Sequence, residues 1–466
     1  MAFDFSKRAL LGIATLLCVC FASSSVFAIQ GVGGNNNTGT GFFGFGTGSV
    51  GGVKVDSNNV LEAAPTKISN EDRLRLLASV GDEHRADLQT TTPMRKVSLR
   101  GLYDAAEQAI RENKPLPAEV AFMAGLQRIE FVFVSPDHKD LILAGPAEGW
   151  KVDDAGNVVG ITTGCPVMRL EDFLVALRTV DNARQDLGIS CSINPTPEGA
   201  AALSKALSQM KAEDFSPDAA RHIEETGGPQ VITLTGLPTS SRFAQVLVAA
   251  DYKMKRLSMG FENAPIDGMP SYLEIAKRKD SARASTSPRF WMECNYLPLA
   301  KSEDGLTWQL RGTGVKAMVE DGRIANDGQR VATGKVNAMA EKWAETMTEK
   351  FDALAQKEPA FRELRNLMDM AVVAALISKE SLLERAGLDI PMFVDANKLP
   401  TPEYNAPKTV PTQCSFVRLT SSMLVTASGG VQVDSWSVVE RTEIVNDLAT
   451  TRSAALQSPA KQFWWN

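Results

Sequence analysis

Hydrophobic positions in this chain fall into two rhythms. From residue 336, Val336, Met339, Trp343, Met347, Phe351 and Leu354 recur at three- and four-residue steps, the spacing of a helix with one buried face. Glu358-Pro359 interrupts that stripe, since proline cannot continue a helix from within. From Pro359 to Ala386 the chain is apolar almost all round at its centre, which predicts a helix buried on most sides, with Gly387 as its terminator. The two form a helical hairpin over residues 326–390.

The other rhythm alternates strand and helix. Helices are expected over Glu71–Val80 and Leu99–Asn113, the second stopped by Pro115 and Pro117. Ile129–Val134 reads as a buried strand, returning through the turn Ser135-Pro136-Asp137 to Leu141–Leu143. Trp150–Val152 and Val158–Val159 make another hairpin. A helix over Leu170–Val180, a strand over Ile189–Ile193 and a helix over Pro197–Met210 come next. They lead to a strand over Val231–Thr235 and a helix over Ser241–Arg256. This alternation favours βαβ-like units. Arg289–Tyr296, Leu306–Arg311 and Val315–Glu320 read instead as antiparallel strands. The fold class is mixed, α/β or α+β. It comprises a body over 53–325, the helical hairpin, and a Pro-rich connector with a β-prone segment over 391–466.

The N-terminus has a different character. Lys7 and Arg8 precede an uncharged apolar run, Ala9–Phe21, and Val26-Phe27-Ala28 supplies compact residues at a cleavage point. This is the layout of a secretory signal peptide over residues 1–28, too short to span a bilayer. Cleavage is expected after Ala28, with a periplasmic or secreted product. Residues 29–52 read as a Gly-rich flexible tether: residues 31–52 hold ten glycines, three phenylalanines and no charge. Two matches to GxGxxG, starting at Gly39 and Gly46, neither follow a strand nor open a helix, so they carry no dinucleotide-binding expectation.

Of 466 residues, 44% are hydrophobic, enough for real cores. Without residues 1–28, which carry Lys7, Arg8 and Asp4, the formal charge moves from −6 to −7. A mildly acidic chain has no global attraction for nucleic acid, and no later segment is long enough to cross a membrane. Cys165, Cys191, Cys294 and Cys414 would remain after cleavage. In an oxidising compartment they could form two disulfides in any of three pairings, or stay as buried thiols.

Several runs carry a resemblance: SCSINPTPEG at 190–199, ADYKMKRLSMG at 250–260, PRFWME at 288–293, ELRNLMDMAVVAALI at 363–377 and ASGGVQV at 427–433. The chain resembles a family of secreted planctomycete-type bacterial proteins described only by a domain of unknown function, over about residues 53–445. The resemblance implies export and a shared fold. It transfers no catalytic residue.

Candidate chemistry is sparse. Among His84, His138 and His222, His138 in its hairpin turn is the best candidate base. Cys165 after Gly164 is the best candidate nucleophile. Pro166 argues against that pair, because the residue after the nucleophile has no N–H for an oxyanion. A turn cysteine, buried or bridged, is the simpler account. Thr239, Ser240, Ser241 and Arg242 lie between a strand and a helix, where hydroxyls and free N–H groups can hold an anion, though Ser and Thr routinely just cap helices. Tyr252, Lys253, Lys255 and Arg256 could add contacts, although charges closing a helix usually face water.

No metal is expected: HExxH is absent, and Asp153, Asp154 and Asn157 suit a hairpin turn better than an EF-hand. No cofactor is implied. Phe463-Trp464-Trp465-Asn466 could anchor a partner or pack back on the body. The leading expectation is a non-catalytic binding or cell-envelope-associated protein with envelope or extracellular partners. The alternatives are an extracytoplasmic hydrolase of an envelope polymer, using Cys165 with His138, and a structural or assembly protein.

Overall fold

The computed structural model describes residues 49–80, 86–184, 188–209, 217–279, 288–324, 330–332, 337–413, 415–417, 423–425, 428–457 and 464–466, all within one unit that spans residues 37–466. Two sheets organise these residues. In the seven-stranded sheet the order is Arg330–Ala332, Gly314–Ile324, Pro288–Asn295, Ser428–Val433, Ile189–Pro195, Gln230–Thr235, Thr409–Val410. Neighbours are antiparallel except Pro288–Asn295 with Ser428–Val433, which run parallel. The six-stranded sheet runs Thr442–Ile444, Leu299–Lys301, Thr307–Gln309, Phe131–Ser135, Asp140–Ala147, Thr92–Ser98, with one parallel pair at its first edge.

The mixed class is therefore as expected, with a refinement. Ile189–Pro195 and Gln230–Thr235 are joined through helices Pro197–Gln209 and Pro217–Gly227 and pair antiparallel. With two helices in the connection, the chain returns alongside its own strand without crossing the sheet. Most expected elements stand within two or three residues of their positions. At the end of the expected tether, Ser49–Val50 pairs with Val53–Val55, and the Val50 side chain is buried.

Ser428–Val433 arrives from the far C-terminal region yet occupies the centre of the large sheet. Gly429 and Gly430 permit this. A Cβ on Gly429 would stand 1.7 Å from the Phe290 carbonyl oxygen, and one on Gly430 would stand 2.2 Å from that of Cys191. Only residues without a side chain let three strands close at this point.

Pro359–Lys379, the central helix, packs against helices Leu170–Arg178, Arg242–Ser258 and Ser435–Glu440. Its second half, Met370–Ile377, is apolar and buried as expected. The predicted helix to Ala386 breaks at Ser381, which has φ 49°, and a short helix, Leu382–Ala386, then ends at Gly387 with φ 66°. The first half of the central helix departs from expectation: Arg362, Glu363, Arg365, Asn366 and Asp369 are all buried. Trp343 is core. The helices Ser435–Glu440 and Leu448–Leu456 replace part of the β-prone tail.

At the other edge of the six-stranded sheet, Trp464–Asn466 folds back. The Ser98 N–H donates to the Trp464 carbonyl at 2.9 Å and the Asn466 N–H to Lys96 at 3.1 Å. Trp465 is buried and its indole N–H reaches Asp87 at 3.1 Å. Of the two roles open to these tryptophans, the structure has them packed on the body. Phe463 lies outside the described residues. Among the described residues, no helix is long and apolar enough to cross a membrane.

Candidate functional site

The helix Arg242–Ser258 forms because Phe243, Val246, Leu247, Ala250 and Met254 share one face, all buried against strands Ile189–Pro195 and Ser428–Val433. Ser241 is its N-cap: Oγ accepts from the Ala244 N–H at 3.1 Å and donates to the Pro238 carbonyl at 2.7 Å. The Ser240 carbonyl accepts from the Tyr404 N–H at 2.7 Å, and Thr239 stays exposed. Arg242 turns inward. Its Nη1 meets Asp172, and its Nη2 meets Glu363 at 2.5 Å. Burial by itself would lower its proton affinity, but Asp172, Glu363 and Glu171 outweigh that and raise it. The Thr239–Arg242 loop thus caps the helix and anchors it to the interior.

The other end of this helix holds the most site-like arrangement. Lys255 is buried, and its Nζ donates to the Ile193 carbonyl at 2.6 Å and to Asp251 Oδ2 at 3.1 Å. Burial lowers the Lys255 pKa and raises that of Asp251, while burial and then Asp251 raise that of the neighbouring Cys191 thiol. Each of the three is thus pushed toward its neutral form.

Lys253 pairs with Glu262 at 2.7 Å and Glu358 at 3.3 Å. Arg256 Nε pairs with Glu262 at 2.5 Å, and its Nη1 donates to Gln413 Oε1 at 2.9 Å. Its guanidinium lies 5.5 Å from the Tyr252 ring centre and 5.8 Å from that of Phe261. The expectation that charges closing this helix face water fails here, because each has a carboxylate within reach.

Of these residues, Tyr252, Lys255, Arg256, Phe261 and Gln413 line a shallow, open depression. Tyr252, Phe261, Met259, Val410 and Pro411 supply apolar walls. Lys255, Arg256, Gln230 and Gln413 supply polar groups.

The other candidates lie elsewhere. Cys165 is buried in the loop after Gly164, with its backbone N–H donating to Thr163 Oγ1 at 3.1 Å and Sγ 3.9 Å from the Thr163 carbonyl. His138 is exposed on its turn, and Nδ1 shares a 2.8 Å hydrogen bond with Ser135 Oγ. No interaction joins the two. Cys165, Cys191 and Cys294 are buried and unbridged. Cys294 Sγ sits 3.3 Å from Met368 Sδ, a thioether that cannot bridge. Cys414 and His84 lie outside the described residues. Asp153, Asp154 and Asn157 close the expected hairpin turn: Asp153 Oδ1 accepts from the N–H groups of Ala155 and Asn157 at 2.9 and 2.8 Å.

Sequence reasoning missed the buried charge along the central helix. A signal existed: Arg362, Glu363, Arg365, Asn366 and Asp369 fall on helical steps, so they mark one polar stripe on a helix whose length and apolar centre predict burial.

A family model described as a protein of unknown function (DUF1598) matches residues 191–272, a narrower span than the expected 53–445. No curated protein and no solved structure matches the chain. Ile193, Gln230, Tyr252, Lys255, Arg256, Met259 and Phe261, most of the depression's lining, fall within the matched span.

Proposed function

We propose that this chain is exported, with residues 1–28 removed after Ala28, and acts as a non-catalytic, envelope-associated binding protein. In this reading the depression beside Arg256 takes a compact polar group of an envelope polymer against its open surface. The observation that carries it is the fixed guanidinium of Arg256. Tyr252 and Phe261 flank it, and Glu262 and Gln413 hold it, so it is oriented before any ligand arrives. Apolar walls with a few convergent polar groups are what small-ligand sites require.

Calorimetric titration of the chain with envelope glycan fragments tests this reading. Saturable binding is expected, weakened at least about tenfold by Tyr252→Ala or Gln413→Ala with the unfolding midpoint held. Binding indifferent to both changes would sink the site. Turnover of a defined substrate would sink the non-catalytic role. N-terminal sequencing of protein made by producing cells checks export separately, with Ile29 expected as the first residue.

A further inference from the structure

On the face of the central helix turned toward the loop Thr163–Pro166, Arg362, Arg365 and Asn366 lie within about one turn. Asn366 Nδ2 donates to the Pro166 carbonyl at 3.3 Å, which sets helix against loop. Arg362 sits one turn earlier, at i−4, and is 8% exposed. Among the described residues no group accepts a hydrogen bond from its guanidinium, no carboxylate pairs with it, and its Nε is sealed from solvent.

The nearby acids are spent. Arg128 takes both oxygens of Asp369 at 3.0 Å, and Tyr296 Oη donates to the same carboxylate at 2.6 Å. Asp352 pairs with Arg365 at 2.6 Å. Burial raises the pKa of the remaining acid, Glu130, so it is a weakened counter-charge. The neighbouring cations make matters worse. Burial, then Arg362 and Arg128, push Arg365 down to about 10. Burial lowers Arg362 too, with Arg128 adding to the effect and Cys165, Asp369 and Asp352 opposing it without reversing it.

A lysine in this position could shed its proton, but a guanidinium cannot. The charge stays, and a largely buried ion without a counter-charge is unfavourable. What would relieve it is an anion from outside. The loop packed beside it meets solvent: residues 161–164 are exposed, and Gly164, at φ 66°, has open space where a side chain would project.

We propose that Arg362, beside Cys165 and the Thr163–Pro166 loop, binds an oxyanion: a phosphate or sulfate group, free or as an ester on a larger ligand. The planar fork of the guanidinium takes two oxygens of such a group in parallel. The site shares no residue with the depression near Arg256, and the two readings stand or fall separately.

The unfolding midpoint of the whole chain, measured in sodium phosphate and sodium sulfate against sodium chloride at matched ionic strength, tests it. Wild type should gain at least about 2 °C, saturably, in one or both oxyanions. Arg362→Met should abolish the gain, while Tyr252→Ala should retain it. Gly164→Asp places a carboxylate on the exposed loop, at a φ of 66° that costs some stability in every salt alike, and should weaken the effect at least about tenfold. A hexose phosphate acting at lower concentration than inorganic phosphate would identify an ester as the ligand, and equal potency would identify the free ion. Equal midpoints in all salts, or a gain that survives both Arg362→Met and Gly164→Asp, would overturn the proposal.

Discussion

Two arginines at the central helix are buried to nearly the same extent and meet opposite fates. Arg242, 5% exposed, lies between Asp172 and Glu363, with Arg169, Glu171 and Tyr404 close by. Arg362, 8% exposed, has no ion pair among the described residues, and Arg128 beside it opposes its charge. Burial pushes both proton affinities down, and carboxylates reverse that for Arg242 alone. Burial therefore does not separate a structural charge from a functional candidate. Pairing does. Arg242 ties the Arg242–Ser258 helix and the Leu170–Arg178 helix to the central helix, whereas the Arg362 guanidinium has no hydrogen-bond or ion-pair partner among the described residues.

Glu148 supplies a third case, a buried carboxylate without a cation. Gln127 Nε2 donates to it at 2.6 Å, the N–H groups of Thr162 and Thr163 at 2.9 and 3.0 Å, and the Thr163 hydroxyl as well. Burial pushes this carboxyl up, and the hydrogen bonds from Thr163 and Thr162 outweigh burial and hold it below its ordinary range. The loop that carries Cys165 is shaped by this acid.

The sharpest way to break the comparison is Arg242→Met. It should cost about 3–5 kcal/mol in chemical denaturation, because Asp172 and Glu363 are left buried without a counter-charge. A cost under about 1 kcal/mol would mean that the pairing is not what separates the two arginines.

Glu148→Gln should cost less, about 1–3 kcal/mol at neutral pH, since its donors lose a charged acceptor. The folded carboxyl is depressed, so its contribution is complete above the ordinary range near 4.3 and fades as pH falls through the folded value. The gap between wild type and variant should close in acid. A gap that widens in acid would contradict the direction of the shift.

Arg362→Met, in chloride alone, should be neutral or stabilising by up to about 1 kcal/mol, the opposite sign from Arg242→Met. A loss above about 2 kcal/mol would show that Arg362 is a structural partner after all.

Smallest of all is Asp304→Asn at a half-exposed pair. Arg452, Ser302 and the Leu306 N–H hold Asp304 below the usual carboxylate range, with Arg452 dominant. Solvent screening leaves such a pair less than about 1 kcal/mol, present at neutral pH and lost as pH falls below the ordinary range near 3.9. A larger loss than that of Glu148→Gln would invert the ranking by burial.

The sequence by itself determined most element positions, since periodicity reports which face of a local segment is buried. The stripe from Met339 to Leu354, the strand at Ile189 and the stop at Gly387 were legible for that reason, and so was the capping role of Ser241. Lys255 and Arg256 were also legible, as polar ends of an apolar helix, but not as a site. Tertiary structure alone decided that Gly429-Gly430 would close the centre of the large sheet and that Trp465 would fold onto Val97. It also placed Asp172 and Glu363 at Arg242 and left the Arg362 guanidinium without an ion pair among the described residues. Pairing of charges depends on residues separated by 70 and 121 positions in the chain, as Arg242 is from its two partners. No local pattern encodes which acids arrive at which base, because that follows from how sheets and helices stack.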